Sequence, residues 1–375
     1  MRVTRRADVA IIGAGMAGAG LAAEIAPYGS VLLLEAEAQP GYHSTGRSAA
    51  FWSETYGGPL IQPLTSASGA FLANPPAPFA ERPFLSPRAA LHIADAEGAA
   101  ALDELCRMFS GSGVAMERLG RPRLEEMIPG LKPGWDSGVL EPSCTDIDVA
   151  GLHAAYLKAA RASGAVLVTD ARLQGAERRG GRWALETRAG AVEADILVNA
   201  AGAWADEVAA LAGIAPLGVQ PYRRTIAQIR TDPAATADLP LVIDALGRFY
   251  FKPEAGGRLW LSPHDETPCP PCDSAAEELD VALAIDRLEQ VVDWHVERME
   301  HSWAGLRSFA PDRLPVYGYP LGRRDFFWCA GQGGSGIQTA PAAAKLAASL
   351  LLGHAPDPLV AGIDPAPYRA DRFAN

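Results

Sequence analysis

Short, unbroken apolar runs bounded by glycine recur along this chain, separated by stretches with helical spacing. Runs at 8–12, 31–34, 196–199 and 326–330 are too short for buried helices and lack polar alternation, so they read as strands covered on both faces. Helical spacing appears at 21–25, at 148–163 before Gly164, and in the small-residue stretch 337–352. A strand at 166–168 follows the second of these helices and completes another α/β crossover. Further strands are predicted at 183–187 and 191–195. The centre has a different texture. A strand at 89–93 and helices at 97–109 and 123–128 lead into strands at 225–229, 248–252 and 259–262, followed by a helix over 275–293. The fold class is therefore α/β, a discontinuous Rossmann-like domain with a second α+β domain built on an antiparallel or mixed sheet.

The first apolar run ends in Gly13-Ala14-Gly15-Met16-Ala17-Gly18, a G-x-G-x-x-G between strand and helix. Gly13 permits the tight turn, Gly15 lets backbone approach a pyrophosphate, and Gly18 allows close packing of the helix, whose N-terminus favours phosphate. The second strand ends at Glu35, beside Ala36, where a carboxylate receives ribose hydroxyls and repels a 2′-phosphate. NADP is thereby disfavoured. Only one such glycine motif is strong, and glycine turns recur far away at 200–204 and 331–336, as expected for one resident FAD held by distant segments.

Composition narrows the classes. The 375 residues carry a net charge of −11 without a basic cluster, which argues against nucleic acid. No apolar run approaches the roughly 20 residues of a membrane span, and the N-terminus leads into the first strand rather than a signal segment. The expectation is a cytoplasmic protein, or one peripheral at the inner membrane face. Five cysteines at irregular spacing do not form a disulfide framework, and Cys269-Pro270-Pro271-Cys272 reads as an incidental loop pair. The seven histidines show no metal-ligand spacing, so no metal is expected.

The stretch 37–50, together with 197–204, Trp303-Ala304-Gly305-Leu306-Arg307-Ser308-Phe309 and 332–339, resembles the FAD-dependent D-amino-acid oxidase and dehydrogenase superfamily, and within it the bacterial D-arginine dehydrogenase group. The resemblance implies non-covalent FAD and two domains: FAD-binding segments at 1–83, 141–220 and 303–375, and substrate-binding segments at 84–140 and 221–302. It implies that Ser44, Thr45, Gly46, Arg47, Ser48, Ala49 and Ala50 line the pyrophosphate and flavin edge, and that Val168 holds the adenine through its backbone. Ala200, Gly202 and Trp204 are expected on the cofactor. So is a helix start formed by Gly333, Gly334, Gly336, Ile337, Gln338 and Thr339, facing the flavin pyrimidine.

For the reaction, the resemblance implies that Arg224 and Arg307 clamp a substrate carboxylate, a task suited to the guanidinium fork. Tyr56 and Tyr250 would hold substrate, and the Gly334 carbonyl would accept from its amine. Phe51, Trp52, Ser53, Ala90, Arg223 and Ser335 would line the substrate pocket. Members tuned to cationic side chains present an acid and a histidine where this chain has Ala90 and Phe51, so a neutral, bulky or aromatic D-amino acid is expected, with Glu54 left as a solvated loop carboxylate. The expected reaction is oxidative deamination to a 2-oxo acid and ammonia, with oxygen or a quinone as electron acceptor. Two alternatives stand beside it, a secondary-amine oxidoreductase of the sarcosine or proline type and a non-catalytic FAD electron carrier.

Overall fold

In a computed structural model, which describes residues 5–373, the apolar runs assemble into one eight-stranded sheet. Arg5–Ile12 lies at its centre, parallel to Val31–Leu34 on one side and to Gly190–Asn199 on the other. Val166–Val168 extends the sheet beyond Val31–Leu34, and Phe326–Ala330 pairs with the end of Gly190–Asn199, both in parallel. This pairing explains the sequence pattern, since every residue of Val31–Leu34 and Phe326–Ala330 is buried. One face packs residues such as Ala10, Leu32, Leu197 and Trp328, and the other packs Ile11, Leu33, Val198 and Phe327 against helices.

Two of those helices touch closely because their contact residues are small. Met16–Ile25 and Ala340–Leu352 meet where a Cβ on Gly20 would lie 3.2 Å from Ala344 Cβ. Val149–Ala162, capped by Asp148 through a 2.8 Å bond from the Gly151 amide, covers the same face.

The second sheet has nine strands. Its spine is the antiparallel pair Gln220–Asp232 and His295–Phe309, joined from Gln220↔Phe309 to Asp232↔His295 with two bulges. The edge beyond is built from Arg258–Ser262, Tyr250–Glu254, Leu241–Asp244, Ala90–Ala94 and Ser137–Glu141. The helix Glu278–Val291 covers one face and buries Val281, Ala284, Leu288 and Val291 against Ile229, Phe251 and Leu261. His295–Phe309 runs unbroken across the boundary expected at 302/303, and residues 1–4 and 374–375 of the expected ranges lie outside the described residues.

Several expected bounds shift. Ser44–Arg47, expected along the pyrophosphate and flavin edge, forms a 3-10 turn. The helix expected over 275–293 spans Glu278–Val291, and that over 337–352 begins only at Ala340. The strands at 191–195 and 196–199 are one strand. The helix Gln62–Ala73 and the strands Leu173–Arg179 and Ser137–Glu141 had no counterpart in the sequence reading.

Gly18 shows how tightly the first turn is built, for a Cβ there would overlap the carbonyl oxygen of Gly13. Gly18→Ala is expected to lower the thermal midpoint by an amount corresponding to about 1–3 kcal/mol and to reduce the FAD retained on purification, both read by thermal unfolding and flavin absorbance.

Candidate active site

A long cleft of about 1810 Å³, its open mouth included, runs from the glycine turn to the spine of the second sheet. Its lining extends from the glycine turn to Arg224 and Arg307, an elongated course that suits an extended dinucleotide. Gly13, Gly15, Met16 and Ala17 form one end. Gly13 has φ +100, and a side chain there would strike the Ala200 carbonyl, so both glycine and close approach are required. Thr45 accepts from the Met16 amide at 3.0 Å and ties the 3-10 turn to the helix start.

Glu35 lines the cleft with its carboxylate already held, by the Ala14 amide at 2.8 Å and the Glu37 amide at 3.0 Å. It shapes the turn as well as presenting a charge for a ribose. Ala36, Ser44, Arg47, Ser48, Ala49, Ala200, Gly202, Trp204, Gly333, Gly334, Gly336 and Ile337 also line the cleft. Gly18, Gly46, Ala50, Gln338 and Thr339 stand behind it. Val168 does too, since its carbonyl accepts from the Glu35 amide at 2.8 Å, and the wall there is Ala171, Arg172 and Leu173. Arg47 faces the cleft yet spends its guanidinium on Asp273, on the Ser274 carbonyl at 2.7 Å and on the Ala304 carbonyl at 3.1 Å. Arg47 therefore fastens the cofactor loop to the second sheet.

At the far end the spine delivers Arg224 and Arg307. The pairing Arg224↔Gly305 and Tyr222↔Arg307 puts the two arginines on the same face of the ribbon, two register positions apart, with glycine opposite Arg224. Arg307 Nη1 donates to Tyr56 Oη at 2.6 Å. Burial opposes the charge on Arg307, but Tyr56, Tyr250, Glu266 and Asp265 hold its pKa above the usual guanidinium value. Arg224 is only 3% exposed, and burial together with the Arg307 charge lowers its pKa to about 10. Its Nε donates to the Asp265 carbonyl at 2.6 Å, whereas its Nη1 and the hydroxyl of Tyr250 are buried with no hydrogen-bond partner among the described residues. Such orphaned donors mark a place for an anionic ligand. Gly334 abuts the clamp, where a Cβ would overlap Tyr56 Oη and lie 3.3 Å from Arg307 Nη1.

The expected pocket residues divide. Phe51 packs edge-on against Tyr56 and Tyr250, with ring centroids 5.2 and 6.3 Å apart, and Ala90 lies in the same apolar cluster as Tyr250. Trp52 is not a pocket residue, because the strand alternates and its indole donates to the Thr65 carbonyl within the core. Arg223 also points away, toward Glu277, Asp280 and Asp265. Ser335 is buried and donates to the Gln332 carbonyl at 3.1 Å. Glu54 is half-buried, accepting from Ser66 and Ser143, rather than a solvated loop carboxylate.

Sequence reasoning missed the residue that holds this corner together. Glu141, directly opposite Ala90 on the neighbouring strand, is fully buried. It accepts from Thr55 Oγ1 at 2.6 Å, the Glu54 amide at 2.6 Å, Ser53 Oγ at 2.8 Å and Ser143 Oγ at 3.4 Å. Burial raises its pKa, and the hydroxyl and amide donors work against that shift. From the other side Gln338 accepts from the Ser53 amide at 3.2 Å and donates to the Tyr56 carbonyl at 3.1 Å. The turn carrying Tyr56 is braced from both directions. No sequence signal marks Glu141, whose partners Ser53, Glu54 and Thr55 lie more than 80 positions away.

Glu141→Ala leaves the Ser53, Glu54 and Thr55 donors without their acceptor, and stability should fall by about 3 kcal/mol. Glu141→Gln should recover part of this. In both variants KM for the substrate should rise more than FAD content falls, which steady-state kinetics beside flavin absorbance checks.

Comparison with known proteins places this geometry in context. The model of the family described as DAO, FAD dependent oxidoreductase, matches residues 8–350. Glycine oxidase of Geobacillus kaustophilus (strain HTA426) is 26% identical over 364 residues, covering 93% of this chain and 94% of its own. The crystal structure of glycine oxidase from Geobacillus kaustophilus superposes with TM-score 0.85 at 25% identity, over 99% of this chain and 100% of that one. Human mitochondrial dimethylglycine dehydrogenase is 33% identical over 142 residues, 37% of this chain and 16% of its own. L-proline dehydrogenase from P. horikoshii shares the fold, with TM-score 0.82 at 20% identity over 96% of each chain. These relatives carry the superfamily resemblance, while the finer placement beside the D-arginine dehydrogenases is replaced by glycine oxidase as the full-length likeness.

Proposed function

The chain belongs to the FAD-dependent oxidoreductase family DAO, and from that premise we propose that it oxidises the α-carbon to nitrogen bond of a D-amino acid with a neutral, bulky side chain. The observation that carries this reading is the pair of orphaned donors, Arg224 Nη1 and Tyr250 Oη, beside the Arg307–Tyr56 bond. Two guanidinium groups and two phenols meet the demands of one carboxylate. An electron carrier has no use for such a clamp.

Gly13 to Ala17, Glu35, the Ser44–Arg47 turn and the Gly333 to Ile337 loop would hold FAD, which when bound would supply the acceptor for the hydrogen and electron pair lost from the α-carbon. The chain's own residues supply position. Arg224 and Arg307 fix the carboxylate, and Tyr56 orients the Arg307 fork. The backbone at Gly334, kept bare by the close approach of Tyr56 and Arg307, offers a carbonyl to the amine.

Selectivity follows from which acids are free. Phe51 sets an apolar ring beside Tyr56 and Tyr250 with Ala90 buried in the same cluster, and the nearby carboxylate, Glu141, is engaged by Ser53, Glu54 and Thr55. A guanidinium or ammonium side chain would be buried there without a partner. A second reading, oxidation of glycine or an N-methylated amine, is favoured by the similarity to glycine oxidase and dimethylglycine dehydrogenase.

The test is anaerobic reduction of the bound flavin by a panel of D- and L-amino acids, glycine, sarcosine and D-proline. D-phenylalanine and D-leucine should bleach the flavin at least tenfold faster than D-arginine or their L-enantiomers; faster reduction by glycine or sarcosine would select the second reading. Arg307→Ala should cost roughly 10²–10³-fold in kcat/KM with FAD content unchanged, as expected when a charged hydrogen-bonding partner worth about 3–4 kcal/mol is removed.

A further inference from the structure

The clamp has a competitor within its own chain. Glu266 is exposed to solvent, yet its Oε1 accepts from the buried Arg224 Nη2 at 3.3 Å. The same carboxylate is held more closely by Arg313, whose Nη2 lies 2.9 Å from Oε1 and 3.0 Å from Oε2. Both oxygens are thus turned toward Arg313, and one of them reaches Arg224 only at the long end of a hydrogen bond. The Asp265 carbonyl accepts from Arg224 Nε at 2.6 Å, so this guanidinium is engaged at Nε and Nη2, while Nη1 has no partner among the described residues.

Arg313 is fixed from several sides. Its φ is +64, a region that residues with a side chain enter only when the surroundings impose it, and its amide donates to the Ala310 carbonyl at 2.9 Å. Its guanidinium lies 3.9 Å from the centre of the Phe309 ring and 5.8 Å from that of Tyr222, residues of the two spine strands. Phe309 is itself set in place, since its ring fills the space beside Gly333, where a Cβ would overlap it. The adjacent acid, Asp312, is taken by Arg372 at 2.7 and 3.0 Å, and Glu266 is the ion-pair partner of Arg313. A pair this exposed adds little to folding stability.

We propose that Arg313 is a positioning residue for the substrate clamp: it holds the Glu266 carboxylate aside and so keeps Arg224 Nη1 open for the carboxylate of the substrate. This rests on the carboxylate reading of the site, which a D-amino acid, glycine and an N-methylated amino acid share. A carboxylate beside a guanidinium favours two parallel bonds over one. Glu266 already touches Nη2, and Nη1 belongs to the same planar fork, so a turn of the Glu266 side chain would engage both. The straddling bonds from Arg313 oppose that turn. A Glu266 released onto the fork would compete with substrate for its seat, and would leave unchanged what happens once substrate is seated.

Three variants test this. Arg313→Met keeps an unbranched chain over Phe309 and removes the guanidinium, Glu266→Gln keeps an acceptor for Arg224 and removes the charge, and the third combines the two. The probe is whichever of D-phenylalanine, glycine and sarcosine reduces the bound flavin fastest without air, and the dependence of the rate on concentration gives Kd and the limiting rate separately. Arg313→Met should raise Kd roughly tenfold, the size of one charge-assisted bond surrendered to Glu266, with the limiting rate and FAD content unchanged. Glu266→Gln should bind at least as tightly as wild type, and the double variant should return to the level of Glu266→Gln. Damage to the fold, or the bare loss of a positive charge, would instead persist in the double variant. An unchanged Kd in Arg313→Met, or a weakening that survives in the double variant, overturns the role of Arg313 while leaving the carboxylate reading intact. No reduction of the flavin by any of the three compounds overturns that reading, and the role of Arg313 with it.

Discussion

Two like charges held close together, Arg224 and Arg307, govern the design of this molecule. Buried guanidinium groups lose hydration and repel one another, and burial first and the Arg307 charge second lower the pKa of Arg224. The surroundings answer it with acceptors placed to one side: the Asp265 carbonyl and Glu266 for Arg224, and the Tyr56 hydroxyl for Arg307. Arg224 Nη1 is left without a hydrogen-bond partner among the described residues. Pre-organised positive charge of this kind costs folding stability and returns it as binding, because no reorganisation is needed when the anion arrives.

Holding such a pair requires rigid neighbours, and the turn from Ser53 to Tyr56 is where both sheets contribute. Glu141 reaches it from the second sheet, and Gln338 from the glycine loop beside the cofactor cleft. The distance between clamp and cofactor is thus fixed through one short turn. Arg47 provides a second tie, from the cofactor loop to Asp273, Ser274 and Ala304. Both ties are made of hydrogen bonds to backbone or to carboxylate, which locate atoms more sharply than apolar packing does.

Much of the cofactor half was legible in the sequence, because parallel strands buried on both faces leave continuous apolar runs and the glycine turn leaves fixed spacing. The catalytic corner was less so. Arg223 and Arg224 are adjacent, and only the register against Gly305 and Leu306 decides which one enters the site. Phe51 and Trp52 pose the same problem in a strand of two residues, where either could face inward until the partner strand is known. The helix at the C-terminal end starts late because Gln338 and Thr339 spend their side chains on the Ser53–Tyr56 turn and on Ser335. Glu141 was invisible, since its meaning comes entirely from hydroxyls and an amide brought to it by the fold.

The spine formed by Gln220–Asp232 and His295–Phe309 has a further consequence. One end of this ribbon carries the clamp beside the cofactor cleft, and the rest runs on as the backbone of the second sheet. A paired ribbon of that length resists bending across its ladder of hydrogen bonds, so the two halves of the molecule cannot swing apart like jaws. The segment between Ser262 and Glu277 is tied to the same ribbon, through the Asp265 carbonyl on Arg224 and the Glu277 carboxylate on Arg223, so the clamp is closed in on that side as well.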